Sequence, residues 1–128
     1  MKKLIVATTF SLMASLANAD SDGNKYVMSS LLNGQVFIMA QDHMSLYTYA
    51  NDQPGISTCY GECAVNWPPA ILPADTDMPQ SYTLIERNDG QMQIAYKGKP
   101  LYRYIGDSAI GDINGDGLGG VWSLARPE

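Results

Sequence analysis

Polar and apolar residues alternate in short runs along much of this chain, the period expected of strands with one buried face. Gln91-Met92-Gln93-Ile94-Ala95-Tyr96 is the clearest run, and Gln35 to Gln41 is its counterpart upstream. Ser81 to Arg87 reads as another strand, followed by Asn88-Asp89-Gly90, which contains the Asp-Gly pair favoured in tight hairpins. Lys97-Gly98-Lys99-Pro100 supplies a further turn leading into Leu101 to Tyr104. Met28 to Leu32 fits either a short helix or an extended lead-in. Cys59 to Asn66 has room for a single helical turn, which Trp67-Pro68-Pro69 would stop. Ala70 to Gln80 then reads as an irregular connection. With 12 Gly and 7 Pro, turns and short strands are favoured over long helices.

The pattern occurs twice. Leu46-Tyr47-Thr48-Tyr49-Ala50-Asn51-Asp52 matches Leu101-Tyr102-Arg103-Tyr104-Ile105-Gly106-Asp107 at an offset of 55 residues, and the same offset carries Trp67 onto Trp122 and Ala70 onto Ala125. Gly34 and Gly90 each open a strand-like stretch, with a one-residue gap between the copies. Each unit reads as a hairpin arm, a Tyr-x-Tyr strand, an Asp-ending turn, a loop and a Trp strand. In an extended Tyr-x-Tyr the two rings point the same way. The expected fold is all-β or β-dominated, one small domain of two pseudo-repeats, about 29–73 and 84–128.

The first residues follow another pattern. Lys2 and Lys3 precede an apolar run from Leu4 to Leu16, and Ala17-Asn18-Ala19 offers small residues where a signal peptidase reads. A run of about 13 residues is short of the roughly 20 that span a bilayer. Residues 1–19 are therefore expected to be a signal peptide, giving a periplasmic or secreted protein that is soluble after cleavage. All 13 acidic residues but only 6 of the 8 basic ones lie beyond position 19. That excess of negative charge argues against nucleic acid and anionic lipid as partners. It suits an ion, a glycan or another envelope protein. The only cysteines are Cys59 and Cys63; in an oxidising compartment a disulfide is their simplest reading. A thiolate metal pair and a redox pair are the alternatives, although the spacing is not that of a thioredoxin-like site.

At these motifs the chain resembles the secreted-repeat lipoprotein family of bacteria, marked by Tyr-x-(aromatic)-x-x-Asp and of unknown function. The resemblance rests on Tyr47 to Asp52 and Tyr102 to Asp107. It continues through Cys59-Tyr60-Gly61-Glu62-Cys63, Asn66-Trp67-Pro68-Pro69, Gly111 to Gly115 and Gly119-Gly120-Val121-Trp122. It covers about residues 34–125. Many relatives look lipid-anchored, whereas no cysteine stands near Ala19 to accept a lipid here. The resemblance supplies a family and no reaction.

Three constellations carry candidate chemistry. Asp112-Ile113-Asn114-Gly115-Asp116-Gly117 places Asp112, Asn114 and Asp116 like the first ligands of a calcium loop, but Ser123 stands where the bidentate Glu belongs. Asp and Asn in a Gly-rich loop more often hold turns through their own backbone. His43 and Met44 offer imidazole and thioether, a pairing suited to copper; with one His in the chain, Met is more simply a core filler. Asp52 and Asp107 end the two motif copies and are expected to pin turns, with a paired acid–base site as the remote alternative. Tyr47, Tyr49, Tyr102, Tyr104, Trp67 and Trp122 are expected to pack in the core rather than form a sugar- or peptide-binding surface. No nucleophile elbow, P-loop or dinucleotide fingerprint occurs. The expectation is an exported, non-enzymatic binding or interaction module with no required cofactor and an unassigned ligand. A periplasmic metal-binding protein, for calcium or copper, is the alternative.

Overall fold

The structure is a computed structural model that describes residues 26–128. The expected signal peptide lies outside the described residues. Strands β1 (Val27–Leu32) and β2 (Gln35–Ala40) form an antiparallel hairpin, pairing Val27 with Ala40 and Leu32 with Gln35. Asn33 and Gly34 both take positive φ, of 52° and 80°, as a two-residue turn compatible with strand twist requires. The lead-in Met28 to Leu32 is thus extended. Its neighbours decide the matter, because β2 supplies a ladder that the local sequence cannot announce.

Strand β3 (Tyr47–Tyr49) follows, then helix α1 (Glu62–Asn66), a short helix that contains Cys63 and ends at Trp67. Strands β4 (Tyr82–Glu86), β5 (Met92–Tyr96) and β6 (Lys99–Pro100) make a second sheet in that order, and β7 (Trp122–Leu124) pairs antiparallel with β3. A 3-10 turn at Leu118–Gly120 precedes β7. The β4–β5 connection differs from a tight Asp-Gly hairpin. The Gly90 N–H bonds the Arg87 carbonyl, so Asn88 and Asp89 occupy the turn and Gly90, at φ 88°, is the left-handed residue after it. Leu101 to Tyr104, expected as a strand, makes only isolated bridges: Tyr102 meets Tyr47 of β3 on one side and Pro69 on the other, and no continuous ladder forms.

The two copies interlock about a pseudo-twofold axis. Tyr47 and Tyr102 exchange both backbone hydrogen bonds, at 2.8 and 2.9 Å, so the motif strands cross each other at their first tyrosines. Each Tyr-x-Tyr then pairs with the Trp segment of the other copy: Tyr47 with Leu124, and Tyr102 with Pro69. The flanking bonds repeat in step. Ala125 N–H reaches the Leu46 carbonyl at 2.8 Å and Ala70 N–H the Leu101 carbonyl at 3.0 Å; Ile38 and Ile94 donate to Ala125 and Ala70, both at 2.8 Å. One apolar cluster, including Val27, Ile38, Leu46, Ile94 and Leu101, fills the space between the hairpins. A second, around Tyr47, Cys59, Trp67, Tyr102 and Trp122, lies on the motif side. Neither copy completes either cluster alone.

Candidate functional site

The motif residues meet at the axis. Tyr47 and Tyr102 are fully buried, and each hydroxyl donates to the carboxylate that ends the other copy: Tyr47 to Asp107 Oδ2 and Tyr102 to Asp52 Oδ2, both at 2.7 Å. The remaining oxygens hold the loops. Asp52 Oδ1 accepts from the Thr58 N–H and hydroxyl at 2.8 and 2.7 Å, and Asp107 Oδ1 from the Asn114 N–H at 3.0 Å. Burial first, and then the adjacent carboxylate, hold both phenols well above their ordinary value of 10.0. The pinned turns were legible in the sequence; the swapped tyrosines were not, because they depend on how the two copies dock.

The other aromatic rings form a column across the same axis. Tyr49 stacks on Trp122 at 4.2 Å, Trp122 on Trp67 at 3.8 Å, and Trp67 on Tyr104 at 4.3 Å. Tyr47 and Tyr102 meet the tryptophans edge-on at 5.4 and 5.2 Å. The tryptophans are only 7 and 6 % exposed, so these rings are core, and the inner faces of Tyr49 and Tyr104 are spent on stacking. Gly115 permits the close approach: a Cβ there would lie 2.7 Å from the Trp67 ring.

One group without a sequence signal joins this core. Arg87 is 3 % exposed and donates to Ser57 Oγ, Gln93 Oε1 and the Cys59 carbonyl, each at 2.8 Å. Ser57 lies 2.5 Å from the Tyr102 hydroxyl, so a chain of donors runs from the guanidinium through two hydroxyls to Asp52. The Arg87 plane lies 4.2 Å from the centre of the Tyr60 ring, while its Nε has no hydrogen-bond partner and stands 3.8 Å from Asp89. An arginine ending an amphipathic strand reads as solvated from sequence alone. Here it is buried, with the carbonyl of disulfide-bonded Cys59 among its acceptors.

The metal candidates are spread differently. Asp112 accepts from the Ser108 and Ala109 N–H groups, which hold its carboxyl below the usual range. Asn114 bonds the Gly106 carbonyl through its amide, and Asp116 accepts from the Leu124 N–H and lies 3.6 Å from Arg126. Each of the three side chains is already bonded within the protein, Asp112 in its own turn and Asn114 and Asp116 to more distant backbone. His43 is exposed at φ 69° in the turn after β2, with Met44 beside it. Among the described residues no group of three or more His, Cys, Asp or Glu is gathered as a metal cage needs.

A cleft opens on one side of the axis. Thr48 to Pro54, on and after β3, face the turn Lys97 to Pro100 across about 340 Å³, with Tyr49, Asp52 and Gln53 in one wall and Lys97 and Lys99 in the other. The Gly55 N–H bonds the Gly98 carbonyl at 2.7 Å and fixes the floor. A second cleft, lined by Tyr96, Ser123 and Arg126 to Glu128, shares Thr48 and Lys99 with the first. The 55-residue offset maps this pair of walls onto the other copy, carrying Thr48 to Arg103, Lys97 to Asp42 and Lys99 to Met44; Gly98 falls on His43, which has the same left-handed backbone. There the walls are tied: Arg103 donates to Asp42 at 2.8 Å. Burial opposes ionisation of Asp42, but Arg103 and the Met44 N–H outweigh it and hold its carboxyl low. With threonine and lysine in those places, the first copy has no such tie.

A two-repeat β domain with swapped motif contacts is the class that fold and site define. The chain belongs to the family described as a secreted repeat of unknown function, whose model matches residues 34–71 and 83–126. No curated protein and no solved structure matches the chain. Among the described residues no helix is long and apolar enough to cross a membrane.

Proposed function

We propose that the protein is an exported, non-enzymatic binding module of the bacterial envelope, and that it engages its ligand through the cleft between Tyr49 and Lys99. The observation that carries this reading is the unequal treatment of the two copies. The motif tyrosines, tryptophans and aspartates are consumed by the core, where they hold the copies together. In the cleft one copy keeps its walls apart, with ring and amide groups lining the space and its two ammonium groups turned to Glu128, while the other closes the same walls with an ion pair. Its volume is at the low end of the range for small-ligand sites, which points to a ligand about one ring in size. The signal-like residues 1–19 and the secreted character of the family support an envelope location.

The test is amide NMR of the isotopically labelled protein mixed with a fractionated envelope extract. Shifts confined to Thr48 to Pro54 and Lys97 to Pro100 are expected from the active fraction. Uniformly unchanged spectra across all fractions would remove the reading.

A further inference from the structure

We infer that the cleft is a site for an acidic sugar, a carboxylated pyranose, and that Glu128 occupies the carboxylate position when no ligand is bound; this rests on the binding reading above. Charge is the first argument. The described residues include five cations: Arg87, Lys97, Lys99, Arg103 and Arg126. Arg87 is buried in the core and Arg103 is paired with Asp42. Arg126 lies 3.6 Å from Asp116, and the remaining two, Lys97 and Lys99, line the cleft and hydrogen-bond to Glu128, although the chain as a whole carries a net charge of −5. A local cationic spot in an acidic field attracts a single carboxylate and disfavours a polyanion such as a polyphosphate.

The second argument is the residue already seated there. Lys99 Nζ meets Glu128 Oε2 at 2.5 Å, and Lys97 Nζ meets the Glu128 carbonyl at 3.0 Å. Tyr96 fixes the segment by accepting the Glu128 N–H at 2.7 Å. The lysines lower the affinity of the Glu128 carboxyl for its proton, so it is an anion held by ammonium groups at the mouth of the cleft. A ligand carboxylate has the same charge and donor requirement.

The lining separates a sugar from other carboxylates. Besides the lysines it offers Tyr49, Pro54 and Pro100 as apolar groups and Asp52 and Gln53 as polar ones. Such a surface suits a ring with one apolar face and hydroxyls around its rim. A cleft of about 340 Å³ is too short for an extended peptide to gain its backbone pairing. Binding exchanges one ion pair for another: the ligand carboxylate takes Lys99 and the Glu128 side chain swings to solvent.

The experiment is a titration of the protein lacking residues 1–19 with galacturonate, with neutral galactose and with a Glu-Glu dipeptide, followed by amide NMR and calorimetry. Saturable binding of galacturonate with shifts at Thr48, Tyr49 and Lys99 is expected. Lys99→Ala should weaken it about tenfold. The double change Thr48→Arg with Lys97→Asp, which installs the ion pair of the other copy, should weaken it at least as much while leaving near-ultraviolet circular dichroism unchanged. Glu128→Gln should tighten it by removing the internal competitor. Equal binding of galactose, or indifference to Lys99→Ala, would overturn the acidic-sugar site. Preference for the dipeptide at the same residues would also overturn it, yet leave the binding module standing. No response to the three probes, combined with a cleft silent towards envelope fractions, removes both.

Discussion

At the residue scale, two phenols and two carboxylates decide how the copies of the motif recognise each other. Tyr47 and Tyr102 give their protons to the aspartate of the opposite copy, so each Tyr-x-Tyr-x-x-Asp is completed only by its mate. Tyr102→Phe removes a buried hydrogen bond to a charged group and leaves Ser57 with the Arg87 bond alone. A loss of about 1–3 kcal/mol is expected, read as a lower midpoint in urea with an unchanged slope. A second expectation concerns alkaline pH. Burial and the neighbouring Tyr96 push Tyr82 up to about 12, and Tyr47 and Tyr102 lie above their ordinary 10.0 as well. Below pH 10 folded and unfolded chains both keep these protons, so the stabilisation is fully present. As pH rises past 10 the unfolded chain releases protons that the folded one retains, and stability falls. Phenolate absorbance at 295 nm should therefore rise in two stages, the second coincident with loss of near-ultraviolet circular dichroism. A single stage without unfolding would contradict the buried, carboxylate-paired phenols. At this scale the aspartates were readable as turn anchors, whereas Arg87 was not readable at all, because its burial depends on Ser57, Gln93 and the Cys59 carbonyl converging from distant positions.

At the scale of elements, most turns were visible from Gly and Asn, whereas alternation marked one strand, and even that one, β5, is buried on both faces like β2. Asn33-Gly34 and Lys97-Gly98 make two-residue hairpin turns with both φ values positive, and Gly90 is displaced by one position because the Asp89 carboxylate caps the Gln91 N–H at 3.0 Å. The stacked column tests how tightly elements are fitted. Gly115→Ala would place a methyl group against Trp67 and within 3.1 Å of Tyr104. Overpacking of this kind costs about 1–3 kcal/mol. The prediction is a lower melting temperature together with a changed Trp67–Trp122 exciton band in circular dichroism; an unaltered band would mean the two indoles are not stacked at 3.8 Å. The disulfide closes a loop of only five residues, and the chain-entropy relation assigns about 2 kcal/mol to it. Reduction should thus lower the denaturation midpoint without abolishing folding.

At the scale of the whole molecule, the repeats are interlocked rather than serial. Strand β3 of the first copy pairs with β7 of the second, and the Trp67 segment pairs with Tyr102, so a single copy leaves its motif strand without a ladder. Fragments covering residues 26–76 and 77–128 are expected to be unfolded alone by far-ultraviolet circular dichroism. They should regain β structure when mixed. A folded isolated fragment would show that the copies are independent units. The amino-acid sequence by itself determined the β class, the two copies, the disulfide pairing as its simplest reading and the family. The class and the copies follow from local spacing, which survives without knowledge of contacts; the disulfide follows from there being two cysteines, and the family from the resemblance of the motifs. Tertiary structure alone decided that the aspartates serve the tyrosines of the opposite copy, that the rings form one column, and that an arginine is buried. It also decided that the pseudo-symmetric cleft is tied in one copy and open in the other. These outcomes depend on groups far apart in sequence, 60 and 50 residues for the tyrosine–aspartate pairs and 30 for Arg87 with Ser57, meeting within hydrogen-bonding or stacking distance, and hydrophobic periodicity carries no information about which distant partner a polar group will meet.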